Sequence, residues 1–251
     1  MNAAPLLEVS GLSKWFGGVK AVDSVSFRVS KQELLGIIGP NGSGKTTLVN
    51  AITGFVKPTE GRVAFCGREI TGLPPFEIAR LGIARTFQMV RPFYQLPAFK
   101  NIVVPLYSPR VKRLPGGRYG NRDAVALDLL EEVGFERDSQ VAYKPASVLP
   151  QGYLKKLELA KVVALRPEIV ILDELFSGLS LAEVASIVPV IEKLKVEGKT
   201  VIMIEHRLKE LFRIADRVVV LNFGAKIAEG TGSDVMQQDG VKKAYLGSEV
   251  E

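Results

Sequence analysis

The stretch Leu34–Thr47, LLGIIGPNGSGKTT, decides how the rest of the chain is read. Leu34, Leu35, Ile37 and Ile38 make a short apolar run of the kind found in strands buried on both faces. From Gly39 the order G-x-x-x-x-G-K-T follows and ends at Thr46, so strand, glycine-rich loop and helix start come in the order of a phosphate-binding loop. Gly39, Gly42 and Gly44 let the backbone turn until successive N–H groups converge on an anion. A helix starting near Lys45 adds the positive end of its dipole. The expected nucleotide cradle is therefore Gly39, Pro40, Asn41, Gly42, Ser43 and Gly44, with Lys45, Thr46 and Thr47 behind it. Lys45 is placed to neutralise β- and γ-phosphates, and Thr46 to hold magnesium.

Composition sets the outer bounds. A chain of 251 residues, 47% hydrophobic and 24% charged, is globular in character and long enough for one large domain or a core with a smaller appended part. The longest charge-free runs, 34–44 and 46–56, are eleven residues each. A transmembrane helix needs roughly 20. The start MNAAPLLEVS lacks the basic and apolar regions of a signal peptide, and Cys66, the single cysteine, can build no disulfide framework, so a cytoplasmic setting is expected. A net charge of +6 raises the question of nucleic acid. Yet Lys and Arg are spread along the chain, and the densest basic stretch, PRVKRLPGGRYGNR (109–122), has no ladder of stacking aromatics. It reads as a solvated loop, and no nucleic-acid partner is expected.

Before the loop, residues 6–30 alternate in short apolar runs broken by Gly and Ser, which suggests antiparallel strands. Trp15 or Phe16, beside a glycine turn, can either stack on an adenine ring or pack a core, and the pattern does not choose. After the loop, TTLVNAITGF predicts a helix ending at Gly54, KPTEG a turn, and RVAFCGREI a strand. PPFEIARLGIARTFQ is amphipathic and runs into the Pro- and aromatic-rich MVRPFYQLPAFKNIVVPLY, with Gln88 at the junction. Val125, Leu129, Leu130 and Val133 share one face of a helix in 121–137, and Pro150 suits the first turn of another that runs to about Leu165. Residues 88–165 thus read as a mainly helical insertion between the strand-rich parts 1–87 and 166–251.

EIVILDE (168–174) is a buried strand tipped by two carboxylates. In a chain with a phosphate loop this is a Walker B element: Asp173 is the candidate for the magnesium shell, and Glu174 for the general base that takes a proton from water. A helix over 181–197 and the strand TVIMI (200–204) follow. His206, the only histidine, comes just after that strand. Were the strand parallel to the other two, His206 would stand at the carboxyl edge where open α/β sheets bind ligands. A helix over 207–215, a hairpin VVVLNFGAKIAEG turning at Phe223-Gly224 and a terminal helix ending in AYLG complete the chain.

With the phosphate loop, Gln88, Asp173-Glu174 and His206 in this order, the chain resembles the ATP-binding subunits of ABC transporters over nearly its whole length. KAVDSVSF, TGFVKPTEGRV, ITGLPPFEIARLGIARTFQ and KKAYLG resemble, more narrowly, the branched-chain amino acid transporter ATPases. The resemblance implies an α/β P-loop NTPase of the ABC ATPase fold: a mixed sheet core, an antiparallel β subdomain and an inserted α-helical subdomain. It implies ATP and Mg2+ as cofactors and ATP hydrolysis as the activity. It resolves the aromatic pair in favour of Phe16 as the adenine-stacking residue. Gln88 takes the place of the glutamine that senses γ-phosphate, magnesium and the membrane subunit. SGLS (177–180) matches the loop between two ATPase subunits, and His206 matches the switch histidine at the γ-phosphate. Such subunits work in pairs at the cytoplasmic face of the membrane. They close two ATPs between the phosphate loop of one and the signature helix of the other. The implied partners are a second ATPase subunit, permease subunits docked through coupling helices, and, indirectly, a periplasmic or extracellular solute-binding protein. The segment 89–107, with Phe93, Tyr94 and Phe99, falls where the coupling helix would be received.

The chain departs from that pattern in its signature, usually L-S-x-G-Q. Leu149–Tyr153 read LPQGY: Gly152, the expected ATP contact, is kept, while Pro150 replaces the serine and Tyr153 the glutamine. Charge-assisted hydrogen bonds are worth about 1.5–3 kcal/mol each, so their loss corresponds to an order of magnitude or more in closure affinity. Leu175 also follows Glu174 where proline is usual. The expectation drawn is a heterodimer with one full and one weak site, with a homodimer as the alternative. A regulatory subunit with weak hydrolysis and a soluble ABC ATPase acting on nucleic acid are the competing classes.

Overall fold

The computed structural model describes residues 4–115, 117 and 120–246. Gly116, Arg118 and Tyr119 of the basic stretch and Gly247 of the AYLG ending lie outside the described residues. The chain begins with two long strands, β1 (Leu7–Phe16) and β2 (Val19–Val29), followed by β3 (Leu34–Ile38), the glycine-rich loop and α1 (Lys45–Ile52). Strands β4 (Glu60–Phe65) and β5 (Arg68–Glu69) then form a hairpin. The predicted single strand RVAFCGREI is thus two, reversed at Cys66 and Gly67, whose φ values are 50° and 75°. Next come α2 (Pro75–Leu81), β6 (Ile83–Arg85), α3 (Ala98–Leu106), α4 (Pro109–Arg113), α5 (Arg122–Glu132) and α6 (Gln151–Ala164). The chain closes with β7 (Ile169–Asp173), α7 (Leu181–Val196), β8 (Thr200–Ile204), α8 (Leu208–Ile214), β9 (Arg217–Asn222), β10 (Ala225–Gly230), α9 (Gly232–Gln237) and α10 (Asp239–Leu246).

These strands make two sheets. One is antiparallel, in the order β2-β1-β4-β5. The other is mixed, in the order β10-β9-β3-β8-β7-β6, parallel except for the β9–β10 hairpin. The parallel strands are buried on both faces, and their period of two feeds two separate cores. In β7, Ile169 and Ile171 pack with β1, β2 and α1, whereas Val170 and Leu172 pack with α3, α5, α6 and α7. In β3, Leu35 and Ile37 take the first side, Leu34 and Ile38 the second. Gly36 lies where α8 comes closest: a Cβ there would meet Val218 at 2.7 Å and Leu211 at 3.0 Å.

Two local outcomes differ from the sequence pattern. The amphipathic stretch 74–88 is not one element, because Gly82, at φ 124°, ends α2 and the next three residues pair with β7 as β6. Pro150 stands at the N-cap of α6, extended at φ −57° and ψ 156°, one residue before the first turn. The turn of the last hairpin is as expected: Phe223 and Gly224 both have positive φ, the geometry that matches strand twist in two-residue loops.

Parallel pairing brings the carboxyl ends of β3, β8, β7 and β6 to one edge. The phosphate loop, His206, Glu174 and Gln88 follow those four ends in turn.

Candidate functional site

The glycine-rich loop turns through Gly39, Gly42 and Gly44 at φ 151°, 77° and 98°, a region that side chains rarely adopt. Space demands glycine as well. A Cβ on Gly39 would sit 2.1 Å from Leu221 O, and one on Gly44 2.2 Å from Ala21 O. The β9–β10 turn pins the loop from outside: Gly224 N–H donates to Ser43 O, and Asp23 N–H donates to Gly224 O. Lys45 is buried and folds back over the loop, its Nζ donating to Gly39 O at 2.7 Å and Pro40 O at 2.9 Å. Burial lowers the pKa of this ammonium, with Glu174 and Asp173 acting the other way. A cleft of about 360 Å³ opens above. Asn41 through Thr47, Val19, Lys20, Ala21 and Phe223 line it, and Glu174 and His206 face them.

Glu174 is held on both oxygens. Gln88 Nε2 donates to its Oε2 at 2.6 Å, and His206 Nε2 stands 2.9 Å from its Oε1. The backbone of Glu174 is at φ 49°, and its N–H donates to Ile204 O, so the turn after β7 leans on β8. Beneath this group lies a buried cation that the sequence reading missed. Lys155 on α6 is 2% exposed, and its Nζ donates to Gln88 O at 3.0 Å and Glu174 O at 3.2 Å. Glu205 is equally buried and accepts from Phe176 N–H at 2.9 Å; burial pushes its carboxyl up to about 7.

Asp173 lies below Glu174, buried, with Oδ2 bound to Arg85 Nη2 at 2.7 Å. Burial raises its pKa and the Arg85 guanidinium opposes that. Its Oδ1 is buried with no hydrogen-bond partner among the described residues, and so is Ser43 Oγ. An orphaned carboxylate oxygen beside a phosphate loop fits a magnesium–nucleotide. Mg2+ is held by one or two protein groups plus substrate phosphates rather than by an all-protein cage. No cluster of three or more His, Cys, Asp or Glu able to hold a metal occurs among the described residues.

Gly39, Pro40, Gln88 and Asp173 adjoin the cleft without lining it, whereas Phe16 and Gly152 stand apart. Phe16 ends β1, is 50% exposed, and has the Lys14 ammonium 5.0 Å from its ring centre; its neighbours Val19 and Lys20 line the cleft but it does not. Gly152 is buried at the start of α6, where a Cβ would meet Glu183 Oε1 at 2.4 Å. Ser180, and then the Gly152 N–H, hold the Glu183 carboxyl below its ordinary value. Tyr153 turns inward: its hydroxyl donates to Glu136 at 3.0 Å and its ring meets Phe135 edge-on.

A second cavity, about 400 Å³ and largely apolar, lies between β6 and α3, lined by Phe55, Phe87, Phe93, Val104, Pro105 and Leu165 together with Arg85 and Arg91. No helix among the described residues is long and apolar enough to cross a membrane.

Residues 22–177 match the family described as ABC transporter. The chain is 40% identical, over 97% of its length and 98% of the relative's, to the high-affinity branched-chain amino acid transport ATP-binding protein BraF of Pseudomonas aeruginosa. It is 37% identical, with the same coverage, to LivG of Escherichia coli, which bears the same description. Among solved structures, the ADP conformation of MJ1267, an ATP-binding cassette of an ABC transporter, superposes with a TM-score of 0.86 at 31% identity, covering 98% of this chain and all of that one. The dimeric cassette MJ0796 gives 0.79 at 26% identity, covering 90% and 98%. The phosphate loop, the strand tipped by Asp173 and Glu174, and His206 stand at one sheet edge of a chain that belongs to the ABC transporter family, with the fold of its ATP-binding cassettes.

Proposed function

We propose that this chain is the ATP-hydrolysing subunit of a membrane importer for branched-chain or similar amino acids. It would work at the cytoplasmic face on permease subunits supplied by an external solute-binding protein. The observation that carries the hydrolytic part is the Glu174 carboxylate, facing the phosphate loop and steered on both oxygens by Gln88 and His206. The amino acid class rests on near-full-length identity to BraF and LivG.

In this reading the loop amides and Lys45 bind the phosphates, and Lys45 exchanges its bonds to Gly39 O and Pro40 O for phosphate oxygens. Thr46, Gln88 and the free Oδ1 of Asp173 would hold Mg2+, which would supply charge neutralisation for the phosphates. Glu174 accepts a proton from the attacking water, and His206 contacts the γ-phosphate. Phe16 offers its exposed face to the adenine. The apolar groove between β6 and α3 receives a short helix of the permease. The segment 88–165 is the helical signature subdomain on a core formed by 1–87 and 166–251.

The same geometry supports an asymmetric pair. Pro150 has neither hydroxyl nor N–H to give, Tyr153 is engaged with Glu136, and Gly152 sits under Glu183, so the LPQGY face offers little to a partner's γ-phosphate. The full site would combine this chain's loop, Asp173, Glu174 and His206 with a partner's intact signature. Glu174→Gln tests the proposal. Turnover should fall at least about 100-fold while ATP binding persists. The trapped protein should co-purify with permease subunits; residual turnover near the parent's, or capture of ribosomes or DNA instead, would refute it.

A further inference from the structure

Arg85, the last residue of β6, lines the apolar groove and binds Asp173, the carboxylate next to Glu174. Its side chain is 6% exposed and every guanidinium nitrogen is engaged. Nη2 donates to Asp173 Oδ2 at 2.7 Å; Nη1 donates to Asn50 Oδ1 at 2.7 Å and Thr53 Oγ1 at 3.1 Å; Nε donates to Thr86 O at 3.3 Å. Asn50 lies in α1, the helix that follows the phosphate loop, and Thr53 caps its end. Phe87 and Phe55 pack on the cation, with ring centres 4.8 and 5.4 Å from Cζ, and the two rings meet edge-to-face at 5.4 Å. Both rings are partly exposed and line the apolar groove.

A guanidinium is a rigid planar fork, so the direction of each N–H follows the plane of the whole group. Here two aromatic rings pack on that plane, Asn50, Thr53 and Thr86 O take three of its donor contacts, and Asp173 receives another. Turning the plane turns the carboxylate and re-aims Oδ1, the buried oxygen that no other described group binds. An ammonium at this place could make one such bond but has no plane to transmit.

We propose that Arg85 is a positioning residue linking the aromatic groove to the metal-binding carboxylate: the packing of Phe55 and Phe87 on its guanidinium fixes how Asp173 presents Oδ1. The permease helix proposed for the groove would thereby act on the affinity for Mg2+ without touching the nucleotide. The inference rests on the reading of Asp173 as a magnesium ligand.

The test uses Mn2+ as a paramagnetic stand-in for Mg2+, titrated against the full chain with ADP and followed by electron paramagnetic resonance; ADP affinity in excess chelator serves as the metal-free reference. Arg85→Lys should weaken Mn2+ about tenfold, as loss of an outer-shell partner does. Phe87→Leu, a change confined to the groove, should weaken it severalfold, and the double variant should be no weaker than Arg85→Lys alone, because both act through one group. Metal-free ADP affinity should be unchanged in all three. Unaltered Mn2+ affinity in Phe87→Leu, or losses that simply add, overturn the link. Asp173→Asn separates the two levels: if it fails to weaken Mn2+, the magnesium assignment falls and the inference with it; if it weakens Mn2+ while the other variants do not, only the inference falls. Should Arg85→Lys not fold by circular dichroism, Phe87→Leu alone decides.

Discussion

Lys155 carries a role that its sequence setting hides. In LKKLELAKVV it looks like one more solvated lysine on a helix, and only packing against residues 67 and 19 positions away in the chain buries it beneath Gln88 and Glu174. Arg85 is hidden the same way, since its partner Asp173 lies 88 residues on. Glu174 and His206, by contrast, stand out because each follows an apolar strand run, while Gln88 is singled out by the family resemblance. Lys155→Met keeps most of the bulk but leaves two carbonyls and Glu205 without a counter-charge. It should cost about 3 kcal/mol in urea unfolding, and lower kcat more than it raises KM for ATP. Glu205 gives a pH effect of fixed sign. Its carboxyl is raised in the folded chain from an ordinary 4.5 to about 7, so the fold binds that proton more tightly than the unfolded chain does. The stability this contributes is full below about pH 4.5 and is lost as pH rises through about 7. Glu205→Gln should therefore flatten the decline in unfolding free energy between those values; an unchanged slope would show that Glu205 titrates as an ordinary surface acid.

At the scale of elements, the parallel strands β3, β7 and β8 were readable because both faces are buried and the runs are continuously apolar. Strand β6 was not. Three residues are too few to show a period, and their pairing is dictated by β7, 86 residues away in register. A second relation invisible to local pattern is the joint capping of α6 and α7. Ser180 and Glu183 form a capping box on α7, and the Glu183 carboxylate also meets the Gly152 N–H near the start of α6. Ser180→Ala should lower stability by about 1 kcal/mol. Thermal unfolding measures this, and hydrogen exchange at Gly152 should quicken, because Glu183 loses the hydroxyl that holds it in place.

For the whole molecule, the order of motifs was enough to place one site at one sheet edge, since parallel strands carry successive carboxyl ends to the same side. What pairs with that edge is a matter of the α6 face. Restoring Pro150→Ser and Tyr153→Gln together should tighten ATP-driven association in the Glu174→Gln background by an order of magnitude, measured by light scattering. Loss of the Tyr153–Glu136 hydrogen bond should lower monomer stability by about 1 kcal/mol at the same time. Unchanged association would mean that LPQGY is a competent surface and that the two sites of a pair are equivalent.

The folded-back Lys45 has a consequence for the choice of anion. Its ammonium donates to Gly39 O and Pro40 O, two carbonyls of the loop it follows. A phosphate that takes the lysine has to replace both of those hydrogen bonds, so an anion long enough to reach the loop amides as well as the ammonium is expected to be favoured over one that reaches the ammonium alone.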